Sequence, residues 1–155
     1  MSDGDVVIRS AVAADAEAVR DLTRRAYAKW VPAIGREPLP MGFDQAAAIR
    51  DDRVEVMEID GGIVGVAHLV VEDERVLLEN LATDPDRAGR GLGSQLLAHV
   101  EAVTRDLGRA RTALYTNARF VENLRFYAAR GYSVDREEVL RGGVVVHMSK
   151  AVATG

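Results

Sequence analysis

The chain of 155 residues contains no cysteine. That one absence removes disulfide frameworks, cysteine-built zinc sites, redox thiols and thiol nucleophiles together, so any chemistry rests on other groups. Lysine is almost missing as well: Lys29 and Lys150 are the only two, and the other eighteen of the twenty basic residues are arginine. Set against twenty-four acidic residues they leave a formal net charge of −4. That is the wrong sign for a protein that tracks a phosphate backbone, and no nucleic-acid partner is expected. Long hydrophobic runs are missing too. The most apolar stretch, Ile63 to Val71, is far too short to span a bilayer. The start, Met1-Ser2-Asp3-Gly4-Asp5, is acidic where a signal peptide is basic. We therefore expect a cytoplasmic protein with no membrane partner. No repeat, linker or low-complexity tract divides the chain, so residues 1–155 are expected to form a single domain. With 48% hydrophobic residues it is able to bury roughly two-thirds of the surface its unfolded chain exposes.

What is present reads as alternating elements. Val6 to Arg9 is a short β-branched run, and Ala18, Val19, Leu22, Ala26 and Tyr27 recur at helical spacing behind Ala13-Ala14-Asp15. Trp30 to Phe43 holds three of the four prolines (Pro32, Pro38, Pro40) and two glycines, which reads as an irregular loop. Asp44 to Arg50 reads as a short helix. Val54 to Ile59, Ile63 to Val71 and Val76 to Ala82 read as strands joined by Asp60-Gly61-Gly62 and Glu72-Asp73-Glu74, an antiparallel meander. After Asp84-Pro85 come Ala88-Gly89-Arg90-Gly91-Leu92-Gly93, then Leu92, Leu96, Leu97, Val100, Val103 and Leu107 at helical spacing up to Gly108. Thr112 to Thr116 reads as a strand, Phe120 to Arg130 as a helix stopped by Gly131, and Tyr132 to Val139 and Val144 to Met148 as the last strands. The expected fold is mixed α/β in the order β-α-α-β-β-β-α-β-α-β-β.

The glycine turn carries the strongest chemical signal. Glycines adopt positive φ and let a ligand approach the backbone, successive N–H groups form a concave nest, and the following helix presents its positive end. A phosphate or pyrophosphate fits such a turn; tight packing of a strand on a helix is the plainer reading. A Rossmann site fails on placement, because the turn follows the fourth strand, its spacing is Gly-x-Gly-x-Gly, and Tyr115-Thr116-Asn117 at the end of the next strand offers no acid to a ribose. A P-loop fails because no lysine follows the glycines. His68, His99 and His147 form no i, i+4 pair and no metal is expected, while Ser94 stands in Gly-Ser-Gln, outside any nucleophile elbow.

Taken together, Glu79-Asn80-Leu81-Ala82-Thr83-Asp84-Pro85, the turn Ala88 to Gly93 and Asn123-Leu124-Arg125-Phe126-Tyr127-Ala128-Ala129-Arg130-Gly131-Tyr132 resemble the GNAT N-acetyltransferase superfamily, over nearly the whole chain from Ile8 to Lys150. The resemblance implies a central, mostly antiparallel sheet of about seven strands with four helices. It implies transfer of an acetyl group from acetyl-CoA to a primary amine, small-molecule or peptide, by direct attack in a ternary complex without metal. Glu79 is the implied base and Tyr127, on the helix after the fifth strand, the implied acid for the leaving thiolate. Glu79 as a solvated strand residue and Tyr127 as a core residue beside Phe120 and Leu124 are the bland alternatives. Cofactor contacts are implied for Leu81, Ala82 and Thr83, for Gly89, Arg90, Gly91, Leu92, Gly93 and Ser94, and for Asn123. The family's Gln or Arg at the start of the turn is Ala88 here, so that side chain is lost and Arg87 or Arg90 is left to replace it. The loop Trp30 to Phe43 falls on the acceptor side, with Trp30, Arg36 and Phe43 as substrate contacts, Arg36 suited to a carboxylate and Glu37 to an ammonium. Two other classes stay open, an acyl-CoA-binding or sensing module without turnover and a nucleotide-binding regulatory domain, and a homodimer is left open as well.

Overall fold

The computed structural model describes residues 5–152. Met1 to Gly4 of the acidic start lie outside the described residues. In chain order the elements are β1 (Val6–Ser10), α1 (Ala16–Tyr27), α2 (Val31–Ile34), α3 (Gln45–Asp51), β2 (Arg53–Ile59), β3 (Gly62–Val71), β4 (Arg75–Thr83), α4 (Leu92–Asp106), β5 (Arg111–Asn117), α5 (Val121–Ala129), β6 (Ser133–Leu140) and β7 (Gly143–Ala151). The strands form one seven-stranded sheet, ordered β1-β2-β3-β4-β5-β7-β6. Every neighbouring pair is antiparallel except β4 with β5. Four helices of seven to fifteen residues accompany it, as expected.

The segment Trp30 to Phe43 is less irregular than its prolines suggest. Ala28–Trp30 is a 3-10 turn, α2 is a single α-helical turn with Pro32 at its start, and Leu39–Gly42 is another 3-10 turn led by Pro40. Proline removes no bond at the first positions of a helical turn, where the N–H has no partner anyway. The prolines here open turns instead of preventing them.

Both faces of the sheet are covered, which is why β3 is buried almost end to end. On one face Leu92, Leu96, Leu97, Val100 and Val103 of α4 pack with Met57, Leu69, Val76 and Leu78. On the other, Val19 and Leu22 of α1 and Ala48 of α3 pack with Val54, Val56, Val66 and Ala82. Leu96 and Val100 are fully buried, and truncating such a side chain to alanine costs about 2–5 kcal/mol.

Two irregularities shape the middle of the sheet. The β3–β4 register passes from His68 opposite Asn80 to Leu69 opposite Leu78, so Glu79 is the extra residue of a bulge. The parallel pairing of β4 with β5 covers only Arg75–Leu78 against Arg111–Leu114. Beyond that point β4 continues with β3 and β5 with β7, and the two strands part like a fork.

Candidate active site

Glu79 and Tyr115 are the first residues past the last paired positions on either side of the fork. The Tyr115 hydroxyl donates to Glu79 Oε2 at 2.5 Å, so the carboxylate is held across the mouth. A bond this short to a carboxylate is of the charge-assisted kind. Burial, and then the same carboxylate, push the Tyr115 phenol well above its ordinary pKa, which keeps it a donor. Both residues line a cavity of about 260 Å³ closed by Ile34, Pro38, Leu39 and Pro40 from the proline-rich segment and by Leu140, Arg141 and Val145 around the β6–β7 turn.

A second cavity, of about 360 Å³, lies on the other side of the fork and is lined by Leu81, Ala82 and Thr83 of β4 together with Trp30, Ala88 and Asn123. Tyr27, the last residue of α1, lines both cavities. Its phenol is raised by burial, offset in part by a hydrogen bond from the Leu81 backbone, and it lies close enough to raise the Tyr127 phenol too. Tyr27 was legible only as one more member of the apolar stripe of α1. A phenol ending that stripe next to the proline-rich segment was the signal available.

The turn into α4 is built as a nest. Gly89 and Gly91 have φ of 82° and 75°, the left-handed region that glycine enters without strain, and Gly91 caps the helix. The first intrahelical bond runs from Gln95 N–H to the Gly91 carbonyl at 3.1 Å. The amides of Leu92, Gly93 and Ser94 therefore have no helical partner and suit an anion. Their side chains do other work. Leu92 is buried in the core, and a Cβ on Gly93 would stand 3.4 Å from Phe126 Cζ. Ser94 Oγ accepts from Arg130 Nε at 2.8 Å and Nη2 at 2.5 Å. Arg130, which also lies 3.8 Å over the Phe126 ring, thus brings a guanidinium to the first turn of α4. Arg87 reaches Asp84 at 3.9 Å, and Arg90 is exposed in the turn.

Tyr127 is buried on α5 and packs edge-on with Phe126 and Tyr132, at 5.2 and 5.7 Å between ring centroids. Phe120 is not its aromatic partner. Phe120 instead stacks on Trp30 at 4.5 Å, a contact that ties the end of α1 to the start of α5. Arg119 Nη1 donates to the Ala33 carbonyl at 3.2 Å and Lys29 meets Glu122 at 3.1 Å, reinforcing that tie. Trp30 consequently faces the β4 side of the fork and Arg36 the opposite cavity. Phe43 lines neither of them; its ring meets His68 edge-on at 5.9 Å. Glu37 is taken by Arg24 at 2.8 Å. Each histidine is held by a carboxylate, His68 by Asp52, His99 by Glu55 and His147 by Glu138. No helix among the described residues is long and apolar enough to cross a membrane.

A forked sheet, a glycine nest behind the fork and a carboxylate at its mouth thus fall within one continuous stretch of the chain. A family model described as an acetyltransferase (GNAT) domain matches residues 50–134, more than half of the chain. The chain belongs to the GNAT acetyltransferase family. The matched span runs from the end of α3 to the start of β6, so it contains the bulge, the fork and the nest but not the proline-rich segment. Among solved structures, PaiA N-acetyltransferase from Thermoplasma acidophilum, in complex with coenzyme A, is 19% identical with a TM-score of 0.81, covering 95% of this chain and 99% of its own. Ribosomal-protein-S18-alanine N-acetyltransferase from Escherichia coli is 20% identical with a TM-score of 0.80, covering 97% and 96%. A GNAT family acetyltransferase from Elizabethkingia anophelis with acetyl-CoA bound is 14% identical with a TM-score of 0.70, covering 95% and 98%. At these identities the likeness is one of GNAT fold. No curated protein matches the sequence.

Proposed function

We propose that this chain transfers the acetyl group of acetyl-CoA to a primary amine by direct attack in a ternary complex. The observation that carries the reading is the fork itself, with Glu79 and Tyr115 joined across its mouth and a cavity on each side meeting at Tyr27. The nest suits the pyrophosphate of CoA, through the amides of Leu92, Gly93 and Ser94, with Gly89 and Gly91 shaping the turn and Arg90 and Arg130 beside it. Leu81, Ala82, Thr83 and Asn123 line the groove from the nest toward the fork, where the pantetheine arm would lie. Acetyl-CoA supplies an activated acyl group on a thiol leaving group, which is why a proton donor and a proton acceptor are all the chain must add.

Glu79 takes the proton from the acceptor ammonium, which in an alkylammonium has an ordinary pKa of about 10.4 and does not attack until deprotonated. Tyr115 fixes one carboxylate oxygen and leaves the other for that proton. The Leu81 amide N–H, aimed at the Tyr27 hydroxyl, is a ready donor to a developing oxyanion. Tyr127 returns a proton to the leaving thiolate. Its hydroxyl makes no hydrogen bond to another described residue, and burial holds its pKa far above the ordinary phenol value, so it stays protonated throughout the working range. Ala88 favours a second reading, an acyl-CoA-binding module without turnover, because the turn lacks the family's Gln or Arg side chain.

Incubating the protein with acetyl-CoA and a mixture of amines, followed by mass spectrometry and thiol detection, separates the two. An acetylated amine formed with stoichiometric free CoA supports the transferase. Tight CoA binding with no acetylated product sinks it in favour of the binding module.

A further inference from the structure

The cavity on the acceptor side has an unusual balance of charge. Among the residues that line it, Glu79 is the only acid, and Arg36 and Arg141 are the only bases. Glu79 is already engaged by Tyr115. Neither arginine makes a hydrogen bond or ion pair with another described residue, whereas Glu37, next to Arg36 in the chain, pairs with Arg24. The two arginines come from opposite walls. Arg36 follows α2, and Arg141 sits in the turn between β6 and β7. The Arg36 guanidinium lies against that turn, since a Cβ built on Gly142 would stand 3.8 Å from its Nη2. The rest of the lining is mostly apolar, Ile34, Leu39, Phe120 and Val145 among it, with Thr116 and Asn117 as polar members beside the tyrosines.

Each part selects against a class of amine. A polyamine carries further ammonium groups that need carboxylates, and this cavity offers cations instead. A bare alkylamine fills the apolar lining but leaves two guanidinium groups without a partner. An arginine fork binds a carboxylate with paired, charge-assisted hydrogen bonds, the arrangement that planar anions favour. At about 260 Å³ the cavity falls below the roughly 300–1,000 Å³ typical of pockets for drug-sized ligands, so the acceptor is small.

We propose that the acceptor is a small amine that also carries a carboxylate on an apolar body, with Arg36 and Arg141 receiving the carboxylate and the amine turned toward Glu79. The proposal rests on the acetyl-transfer reading above and narrows its acceptor. Neither arginine belongs to the span matched by the family model, so this specificity is a property of the chain's own cap and turn.

The test compares matched acceptors: leucine, leucine methyl ester, isopentylamine, the phosphonate analogue of leucine, and spermidine. Transfer is read as kcat/KM by thiol release, and binding of each amine to the CoA-loaded protein by calorimetry. Leucine is expected to exceed its ester and isopentylamine by about tenfold to a hundredfold, the range of a charged hydrogen-bonded contact. Arg36→Ala and Arg141→Ala should each collapse that ratio, chiefly through KM, in proteins whose circular dichroism is unchanged. Equal or better use of spermidine or of the ester overturns the proposal, as does a leucine-to-ester ratio that survives both substitutions. Preference for the phosphonate overturns the carboxylate assignment. Should no amine be acetylated, the transferase reading falls by itself and calorimetry still decides here: leucine binding lost in Arg36→Ala upholds the carboxylate site, and absent or substitution-insensitive leucine binding overturns it.

Discussion

The two sides of the fork are made of different material. The β4 side is lined chiefly by regular elements, Leu81 to Thr83 of β4, Arg25 to Tyr27 of α1 and Asn123 of α5, joined by Trp30 and by the stretch from Asp84 to Ala88 that leads to the nest. The opposite side sets connections, the proline-opened turns after α1 and the β6–β7 turn, over Glu79 of β4 and Tyr115 to Asn117 of β5. Backbone groups of regular elements bind whatever the side chains are, so the first side suits a ligand that does not vary. Turn residues vary without disturbing the sheet, so the second side is where acceptor choice is free to change. The match of the family model to residues 50–134 follows the same division.

That contrast breaks first at Glu79, which faces the acceptor side yet sits on β4. Glu79→Gln should lower turnover by about a thousandfold to ten-thousandfold near neutral pH and recover as pH approaches the acceptor's own pKa, where free amine needs no base. A loss that is uniform in pH would assign Glu79 to holding the fork through Tyr115. The next effect is at Tyr127. Tyr127→Phe keeps the rings against Phe126 and Tyr132, leaves CoA affinity intact, and should cost about a hundredfold in turnover, less for acyl donors whose thiolate is less basic. Unchanged turnover returns Tyr127 to packing alone.

On the nest side, Gly91→Val forces a β-branched residue into φ of 75°. We expect CoA affinity to fall by about tenfold to a hundredfold, with the apparent stability measured beside it because the turn is strained by the same change. Full CoA affinity in a folded Gly91→Val protein removes the nest from the cofactor site. The smallest effect is on stability in alkali. All four tyrosines are raised above the ordinary phenol pKa, chiefly by burial. In the unfolded chain they lose their protons near pH 10, in the folded one later, so stability is full below about pH 10 and declines as pH rises beyond it. A melting temperature that stays level from pH 9 to 12 would contradict the buried placement of these phenols.

Sequence pattern reached the regular half of this comparison well. The stripe of α4 repeats over enough residues to declare its period, the β2–β4 meander stands out as apolar runs between turn residues, and the glycines mark the nest. It failed where a residue's partner is remote or its phase is broken. Arg36 is named from the sequence as suited to a carboxylate, but Arg141 acquires meaning only when the β6–β7 turn folds back against the segment after α2, and nothing local to it announces that. Tyr27 looks apolar because the rest of its helical face is. Phe120 and Tyr127 share a helical spacing but pack to different neighbours, because Trp30 claims the first.

The bulge at Glu79 has one more consequence. Ahead of it Val76 and Leu78 face α4; after it Asn80 reaches Thr23 on α1 through Nδ2 at 3.2 Å, Ala82 joins the α1 face, and Leu81 packs toward α4. The extra residue acts as a phase step in the strand. Exchanging Glu79 for another amino acid removes a carboxylate and keeps the step, whereas deleting it removes both and still leaves Asn80 on the α1 face and Leu81 on the α4 face, because a regular strand already sets Leu78 and its new neighbour Asn80 on opposite sides. The position therefore tolerates loss of length as the neighbouring positions do not: removing Glu79 alone should keep the fold and straighten β4, whereas removing Leu77, ahead of the step, shifts every earlier pairing of the strand with β3 and β5.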